Sequence, residues 1–416
     1  MIAKHFPALT YRDFRIFWIG QFASLIGTWM QSTVQPYLAY RISGQPFDLG
    51  LIGFASAIPA FFLMLPGGVL IERWNKRKTV IVLQSIMMLQ AFTLAILTFT
   101  GVVTIWHIII LAFILGSASS LEVTARQSMF IQLVDKPVLP NAIALNSMVF
   151  NTARVIGPSL SAPFLLLLGD SGEGWAFLFN GVSYLFVLVG LFLIREKPQE
   201  TLQKPVSIQD FIEGQHFIRQ TPIVLAIIMM VAIPSLFGFA FSQQIPVFAR
   251  DVLAVAGEAA NAAAGRNSML MATMGTGALI AALYLAVNST IKRKAFVLTI
   301  GQFVYATGLI LFSISRSIAL SLPAIAMVGY GMVTQLTLSN TLIQISVPDH
   351  MRGRVISTYF WVQQSLLPFG SLLLGTLAQN LGAPAAIGIG GTVCALGYGL
   401  FHLTHPAIRR TVVEPG

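Results

Sequence analysis

Long apolar runs alternate along the chain with short polar segments. Most runs reach about 20 residues, the length of helix that crosses the hydrocarbon core of a bilayer. The runs are continuous, whereas barrel strands show about ten residues of alternating hydrophobicity, so helices are favoured. Span one is also too long for the apolar region of a cleavable signal peptide. The pattern predicts twelve transmembrane helices, called spans one to twelve: 14–40, 48–71, 79–100, 104–128, 141–168, 175–195, 222–247, 267–288, 295–314, 318–344, 355–378 and 385–403.

The composition agrees with a membrane protein. Of the 416 residues, 56% are hydrophobic and 10% are charged, whereas soluble proteins carry about 25% charged residues. The single cysteine, Cys394, excludes an internal disulfide framework. The six histidines are scattered over span ends and loops, and no nucleophile–base pair, metal-ligand spacing or nucleotide-binding loop accompanies them. The sequence therefore predicts a protein that is not an enzyme, with no cofactor, no metal and no nucleic-acid partner.

Lysine and arginine are distributed unevenly between the loops. With both termini in the cytoplasm, the inner segments hold twenty of the 25 basic residues, Arg154 lies inside span five, and four are outer: Arg41, Arg250, Arg266 and Arg316. Cytoplasmic loops carry an excess of Lys and Arg. The bias therefore predicts cytoplasmic termini and accounts for the net charge of +10 without an acidic partner.

The two halves of the chain match at an offset of about 210 residues. Three polar or small positions of span one have counterparts in span seven: Ser32, Pro36 and Ala39 match Ser242, Pro246 and Ala249. This repeat predicts two six-helix bundles, residues 1–195 and 222–416. A cytoplasmic linker, residues 196–221, joins them.

The linker contains one short amphipathic pattern. Ser207 could cap a helix that places four apolar residues on one side, namely Ile208, Phe211, Ile212 and Ile218. We expect this helix on the inner membrane surface. The alternative is a connecting helix without a function of its own.

The loop after span two carries a motif of glycine, acidic and basic residues: Gly68, Glu72, Arg73, Asn75, Arg77 and Lys78. This spacing resembles the signature loop of the major facilitator superfamily, with Glu72 for the commoner aspartate and Asn75 for a glycine. Asn tolerates a left-handed backbone better than most residues, so a tight turn is expected. The resemblance implies a gate in which Glu72 contacts the start of span eleven, near 354–357. The alternative is a basic turn that only fixes topology.

Span five resembles the Gly-Pro motif of exporters in this superfamily, at Gly157 and Pro158. A bend at Pro158 with close packing is expected, and an ordinary proline kink is the alternative. Segments 14–18, 27–31, 121–127 and 141–154 resemble the subgroup that includes the enterobactin exporter and macrolide efflux proteins.

The resemblance implies an all-α membrane protein of twelve helices in two pseudo-symmetric bundles. It also implies a secondary transporter of the bacterial cytoplasmic (inner) membrane, working by alternating access with a site near the midplane. The leading hypothesis is a monomeric proton antiporter that exports bulky, partly apolar small molecules of drug or siderophore type. The alternative is an uptake symporter or a lysophospholipid flippase of the same fold.

Polar side chains recur three or four positions apart on spans one, five and ten, which places each set on one helix face. The superfamily lines its cavity with spans one, four, seven and ten, and span five lies beside them. The candidate cavity residues are Gln31, Gln35, Asn151, Arg154, Tyr330, Thr334 and Thr337. Hydrogen bonding between helices is the alternative.

Three charges lie within spans four and five, namely Glu122, Arg126 and Arg154. An ionisable group inside a span is functional by default because its burial is costly. Glu122 and Arg126 are four residues apart and can pair on one helix face. We expect Glu122 to take up a proton and release an arginine during transport, and Arg154 either to join this pair or to hold an anionic substrate. A purely structural ion pair is the alternative.

Overall fold

The computed structural model describes residues 6–194, 208–259, 261–288 and 293–404, and these residues are mainly helical with no strand among them. In this part of the chain we number thirteen helices: α1 Arg12–Ser43, α2 Pro46–Arg73, α3 Lys76–Phe99, α4 Ile105–Phe130, α5 Leu139–Leu167, α6 Gly172–Leu193, α7 Ile208–Gln220, α8 Pro222–Phe237, α9 Ala262–Val287, α10 Lys294–Ile314, α11 Ile318–Ser346, α12 Asp349–Leu381 and α13 Ala383–Thr404. Helices α1–α6 correspond to spans one to six, and α8–α13 to spans seven to twelve. Helix α7 lies in the linker.

Nine stretches of the described chain are long and apolar enough to cross a membrane. They include eight of these helices and the region Pro222–Val252. Spans one, five and eleven form α1, α5 and α12, with 32, 29 and 33 residues, but fall outside this set. Polar side chains in these three helices lower their mean hydropathy. The number of twelve spans therefore stays a prediction.

Span seven is not the continuous helix that its hydropathy predicts. Helix α8 ends at Phe237 and is followed by a 3-10 turn, Phe239–Gln244, and a π-helical turn, Phe248–Val252. Pro234 lies inside α8, and Gly238 directly follows it. Proline removes a backbone hydrogen bond and glycine weakens a helix, so the interruption has a local cause.

The described chain forms two compact units. The first contains Met1–Ser43, Ala55–Pro205 and Ala259–Ala272, and the second contains Gly44–Phe54, Val206–Glu258 and Thr273–Gly416. Each unit thus includes a short segment from the opposite half of the sequence. The division into bundles at 1–195 and 222–416 stays a prediction, and residues 195–207, including Ser207, lie outside the described residues.

Close helix packing in each unit depends on a glycine. A Cβ atom on Gly116 of α4 would lie 1.9 Å from the carbonyl oxygen of Ser56 in α2. In the second unit, a Cβ on Gly329 of α11 would lie 2.0 Å from the carbonyl oxygen of Met274 in α9. In lipid, where apolar surface has little drive to leave its solvent, such small-residue contacts and interhelical hydrogen bonds carry much of the helix association.

The linker helix α7 packs on the start of α12 inside the second unit. The Gln215 side-chain amide donates to the Thr358 hydroxyl over 2.9 Å, and Glu213 forms an ion pair with Arg354. Ile218 is buried, whereas Ile212 is 60% exposed. Ile212 thus keeps apolar surface on α7, and the placement of this helix on the inner membrane surface stays a prediction.

Candidate functional site

Glu122 lies buried in α4 and accepts hydrogen bonds from two side chains. Arg126, one helical turn later, places its Nε 3.1 Å from Oε1 and 3.3 Å from Oε2 of Glu122. Gln84 of α3 donates through Nε2 to the same Oε1 over 2.8 Å. The i,i+4 spacing of the pair makes this contact possible on one helix face. Sequence reasoning missed Gln84, whose position on the neighbouring helix only the fold defines.

The environment of Glu122 makes its charge state important. Glu122 and Gln84 are both buried, so the carboxylate and the guanidinium interact where water screens them little. Removing one member of a buried pair leaves the other charge uncompensated and is costly. A proton on Glu122 would have this effect on Arg126 without any mutation.

Arg154 of α5 is buried against an aromatic ring. Its guanidinium carbon lies 5.2 Å from the centre of the Trp29 ring in α1, a distance at which a cation is attracted to the ring face. Trp29 also contacts Phe150 edge to face, with 5.6 Å between ring centres. The structure thus shows an aromatic contact of Arg154 with span one, and the idea that Arg154 joins the Glu122 pair stays a prediction.

Gly157 lets α5 approach α1 closely. A Cβ atom there would lie 2.6 Å from the Trp29 Cβ and 2.8 Å from the carbonyl oxygen of Ile26. Pro158 lies inside α5, which runs as one helix from Leu139 to Leu167. The close packing predicted from the motif is thus present at Gly157, and the functional bend at Pro158 stays a prediction.

Gln31 is the centre of a buried amide network in the first unit. Its Nε2 donates to Gln35 over 3.0 Å and to Gln90 of α3 over 3.1 Å, and its Oε1 accepts from Asn180 of α6 over 2.6 Å. A glutamine amide has two donor hydrogens and one carbonyl oxygen, and all three groups are engaged here. For Gln31 these contacts favour hydrogen bonding between helices over the cavity assignment, whereas the bond between Gln31 and Gln35 lies within α1 and leaves the assignment of Gln35 a prediction.

Gln90 and Asn180 were missed by sequence reasoning. Both are amide side chains in mainly apolar spans, which is the signal that could have identified them. They lie on spans three and six, outside the set of spans that the superfamily resemblance places around a cavity. Asn151 bonds within its own helix, donating to the Ser147 carbonyl over 2.8 Å.

The three candidates on α11 differ in their surroundings. Thr334 is fully buried, and a Cβ on Gly301 of α10 would lie 2.5 Å from its methyl group. Its hydroxyl donates to the Tyr330 carbonyl over 2.8 Å. Tyr330 is partly buried and Thr337 is exposed. Thr334 therefore packs against α10, while Tyr330 and Thr337 keep accessible surface on α11.

The second unit holds two buried polar pairs that the sequence did not identify. His402 of α13 and Gln302 of α10 lie 3.0 Å apart, from Nε2 to Oε1. The Tyr398 hydroxyl donates to Gln335 of α11 over 2.8 Å. Tyr398 and His402 are one turn apart on α13, so their spacing could have indicated a shared polar face.

A further ion pair lies in the first unit, between Arg41 in the last turn of α1 and Glu173 in the first turn of α6. The Arg41 Nε and Glu173 Oε1 are 2.9 Å apart, and Glu173 is 2% exposed. A cation near a helix C-terminus and an anion near an N-terminus are both stabilised by the helix dipoles. Sequence reasoning counted Arg41 only as an outer basic residue.

In the loop after α2, Asn75 caps helix α3. Its side-chain oxygen accepts from the Lys78 backbone N–H over 3.0 Å, and its φ of −64° lies outside the left-handed region. The expected left-handed turn at Asn75 is therefore wrong, because the amide side chain serves as an N-cap instead. Lys78 itself is exposed. The surroundings of Gly68, Glu72 and Arg73 lie outside what the structure describes.

Arg77 binds the C-terminal end of α6. Its Nε donates to the Leu191 carbonyl over 2.6 Å, and its Nη2 donates to the Phe192 carbonyl over 3.1 Å. The last carbonyls of a helix have no intrahelical partner and carry partial negative charge. Arg77 therefore has a structural contact inside the first unit, in addition to its place in the predicted gate.

Among the described residues, no group of three or more His, Cys, Asp or Glu side chains is arranged to hold a metal ion. The polar sites described above consist of amides, hydroxyls, one histidine, two buried carboxylates and arginines. Such groups can bind polar parts of a small molecule and exchange a proton at a carboxylate.

Comparison with known proteins identifies a matching family and several relatives of this chain. The family model described as "Transmembrane secretion effector" matches residues 3–411. The staphyloferrin A transporter of Staphylococcus aureus is 23% identical over 389 residues, 91% of this chain and 94% of that protein. The multidrug efflux pump Tap of Mycolicibacterium fortuitum is 22% identical over 84% of this chain and 85% of its own. The enterobactin exporter EntS of Shigella boydii is 22% identical over 94% and 90%, respectively.

Solved structures confirm the predicted fold class. The nucleoside transporter NupG superposes with a TM-score of 0.73 at 12% identity, covering 94% of this chain and 98% of NupG. A bacterial homologue of the human lysosomal transporter Spinster gives 0.71 at 14% identity, covering 99% of both chains. The helical membrane fold, the transporter relatives and the match along nearly the whole sequence agree with one another. The chain belongs to the transmembrane secretion effector family of the major facilitator superfamily, and it is a multi-pass membrane transporter rather than an enzyme.

Proposed function

We propose that this protein exports bulky, partly apolar small molecules, of drug or siderophore type, in exchange for protons. The observation that carries the coupling proposal is the buried Glu122 carboxylate, held by Arg126 and Gln84. The export proposal is supported by relatives described as a multidrug efflux pump and an enterobactin exporter. The substrate moves by alternating access, as the superfamily resemblance implies.

Protonation of Glu122 would change what Arg126 can bind. The ionised carboxylate only accepts hydrogen bonds, whereas the protonated form is neutral and carries one donor. Gln84 can still donate to the neutral carboxyl group, but Arg126 loses its counter-charge. Because a buried arginine without a counter-charge is costly, the side chain must find other acceptors or α4 must shift. This links proton uptake to a conformational change.

Everted membrane vesicles test this coupling. Glu122→Gln keeps the size and hydrogen-bonding capacity of the side chain but cannot release a proton. We expect it to abolish the dependence of substrate efflux on the imposed pH gradient. Glu173→Gln is the matched control, since Glu173 is also a buried, arginine-paired carboxylate of the first unit. Unchanged pH dependence in Glu122→Gln would reject the role of Glu122.

A folding defect in Glu122→Gln is separated from a coupling defect by a second variant. Glu122→Gln combined with Arg126→Gln removes both charges of the pair. Replacing a whole buried pair is often neutral, whereas removing one partner destabilises. A protein that folds in the double variant, moves substrate down its gradient and ignores the pH gradient supports the proposal. Normal proton-driven efflux in that variant contradicts it.

We propose that Arg154 contributes to binding of anionic substrates. Its guanidinium lies over the Trp29 ring, and its planar fork can hold an anion through two hydrogen bonds, which lysine does not reproduce. Arg154→Lys should therefore weaken binding of anionic compounds while leaving cationic ones unaffected. Equal loss for both would reject the proposal.

The proposed cavity is completed by polar residues of α1, α5 and α11. Asn151, Tyr330 and Thr337 keep accessible surface and are proposed to line it together with Gln35. The Gln31 amide has a partner for each of its polar groups, and Thr334 is fully buried. These two residues would pack behind the lining residues without contacting the substrate.

The gate is proposed at the loop that contains Gly68, Glu72 and Arg73. In the outward-open state Glu72 would hold the start of span eleven, near 354–357, and its release would open the cytoplasmic side. Both termini and this loop would be cytoplasmic, in agreement with the uneven distribution of basic residues. Cross-linking of cysteines at the two segments should fall in Glu72→Gln, and cross-linking independent of Glu72 would contradict the gate.

Direction of transport separates the proposal from its alternative. An uptake symporter or a lysophospholipid flippase would use the same fold. Cells that express the protein should accumulate less of a siderophore or drug panel than cells with the Glu122→Gln variant, and an uncoupler should remove the difference. Higher accumulation in expressing cells would favour uptake, and movement of fluorescent lysophospholipid between leaflets would favour the flippase.

A further inference from the structure

The second unit contains an open groove at the end of α10 and the beginning of α13, away from the residues assigned above. Its volume is about 830 Å³, within the range of small-molecule sites. The groove is lined by residues from the end of α10, the connection that follows it, the end of α12 and the first turns of α13, among them Ile314, Arg316, Leu381, Ala385, Gly388 and Thr392.

The floor of the groove is made of small side chains. Ala385, Gly388 and Thr392 recur at intervals of three and four residues, so they lie on one face of α13. A Cβ atom on Gly388 would lie 3.0 Å from the Ser313 hydroxyl oxygen, which shows how closely α10 approaches there. The groove therefore exists because no large side chain fills this face.

The walls of the groove are apolar and continue into a surface that suits hydrocarbon. Ile314 and Leu381 are 66% and 56% exposed. Farther along α13, three leucines are also well exposed, namely Leu396, Leu400 and Leu403. In a membrane transporter an exposed apolar row of this kind faces lipid chains. A lipid chain that follows the row toward the start of α13 would enter the groove.

Arg316 places one positive charge in this apolar groove. Its Nη1 donates to the Ser313 carbonyl over 3.0 Å and to the Ser315 carbonyl over 2.9 Å, which fixes the guanidinium at one nitrogen. Arginine has five N–H donors in a planar fork, so the other nitrogens remain available to an anion. Within the described residues Arg316 has no carboxylate partner, and the first turn of α13 has no identified acidic residue.

We infer that the groove is a binding site for one anionic phospholipid, with an acyl chain between α10 and α13 and the phosphate on Arg316. A guanidinium fork matches the oxygens of a phosphate group. The apolar walls match a chain and would gain nothing from a hydrated inorganic anion. Charge and shape together therefore favour a lipid over a free phosphate. Occupancy would hold the ends of α10 and α13 together.

Thermal unfolding of the purified full-length protein in a neutral detergent tests the site. We expect phosphatidylglycerol to raise the melting temperature more than phosphatidylcholine does, and sodium phosphate to have no effect. Arg316→Ala should weaken the apparent affinity for phosphatidylglycerol by roughly fivefold, the effect of one basic residue near an anionic lipid. Ala385→Leu, which fills the groove, should weaken binding of both lipids.

Two further variants keep the test independent of folding defects. Arg316→Lys retains the charge but not the fork, so its preference for phosphatidylglycerol should lie between those of the unmodified protein and Arg316→Ala. Arg219→Ala removes an exposed arginine of α7 and should leave the preference unchanged. Equal stabilisation of the unmodified protein by both lipids would mean that lipid binds only as bulk solvent. An unchanged preference in Arg316→Ala, or equal stabilisation by sodium phosphate, would also overturn the inference.

Discussion

Arg354, at the start of span eleven, forms an ion pair with Glu213 of the linker helix α7. Arg354 lies in the segment that the proposed gate assigns to Glu72. Two acidic side chains would therefore compete for one region of α12, one from the linker and one from the loop after α2. An exposed pair of this kind contributes at most about 1 kcal/mol, which suits a contact that forms and breaks in each transport cycle.

Glu213→Gln should strengthen the proposed gate, because it removes the competing carboxylate. We expect slower labelling of a cysteine introduced at Ser357 by a membrane-impermeant thiol reagent in everted vesicles, by up to about fivefold. Ser357 is exposed, and the natural Cys394 is buried, so background labelling should be low. Adding Glu72→Gln should restore the rate. A labelling rate that does not respond to Glu213→Gln would contradict competition.

The Gln31 network gives a second prediction, which separates a structural from a substrate-binding role. Gln31→Leu removes three hydrogen bonds, each worth about 0.6 kcal/mol on average in a membrane protein, so the free energy of unfolding should fall by about 2 kcal/mol. Gln35→Leu removes one of these bonds and should cost correspondingly less. Reversible unfolding in mixed micelles measures both. A normal stability in Gln31→Leu together with a raised KM for substrate would favour the cavity assignment.

The Glu122–Arg126 pair and the Gln31 network differ in how far the sequence could predict them. Hydropathy predicts the spans, and the i,i+4 spacing predicts the contact between Glu122 and Arg126. Both signals lie within one continuous helical segment. A helical stripe, in contrast, defines a face but not its neighbour. For Gln31 the neighbours are Gln90 and Asn180, on helices far away in sequence. Only the fold brings these amides together.

The same distinction applies to span seven and to the linker helix. Span seven has the strongest apolar character of the candidate spans, and hydropathy does not register that Pro234 and Gly238 interrupt it. For the linker helix, four apolar residues predict an amphipathic helix, whereas the contacts of Glu213 and Gln215 with α12 are visible only in the fold. Polar contacts between distant segments leave no periodic signal in the sequence.

The third prediction concerns the glycines that allow close helix packing, Gly116 and Gly329. They lie at matching positions of the two halves, at an offset close to the one that the repeat shows elsewhere. A Cβ at either position would lie within about 2 Å of a neighbouring carbonyl oxygen, so the helices must move apart. Gly116→Ala and Gly329→Ala should each cost about 1–3 kcal/mol of unfolding free energy.

Gly399→Ala is the matched control for these glycine variants. Gly399 lies inside α13 with nothing within 4 Å of an added Cβ. Alanine is favoured over glycine inside a helix by about 0.5–1 kcal/mol, so this variant should be neutral or slightly more stable. Thermal unfolding of the three proteins decides the matter. Similar melting temperatures for all three would show that the close approaches relax without cost.

Asn75 provides the last prediction, because two roles at this position respond differently to the same substitutions. As the N-cap of α3, Asn75 satisfies the Lys78 backbone N–H. Loss of a cap costs about 1 kcal/mol for alanine but only a few tenths for glycine, and aspartate caps as well as asparagine does. We therefore expect unfolding free energies in the order unmodified ≈ Asn75→Asp > Asn75→Gly > Asn75→Ala.

Two measurements separate the cap from the alternatives at Asn75. A left-handed turn would make Asn75→Gly the most stable protein in denaturant unfolding, since glycine adopts positive φ at least cost. Proton-driven efflux by the Asn75→Asp and Asn75→Gly proteins should match that of the unmodified protein if the cap alone matters. Loss of efflux in a stable Asn75→Asp protein would mean that gating needs a neutral residue at this position. A carboxylate beside the basic cluster could pair with Arg77 or Lys78 and hold it away from its partner in the transport cycle.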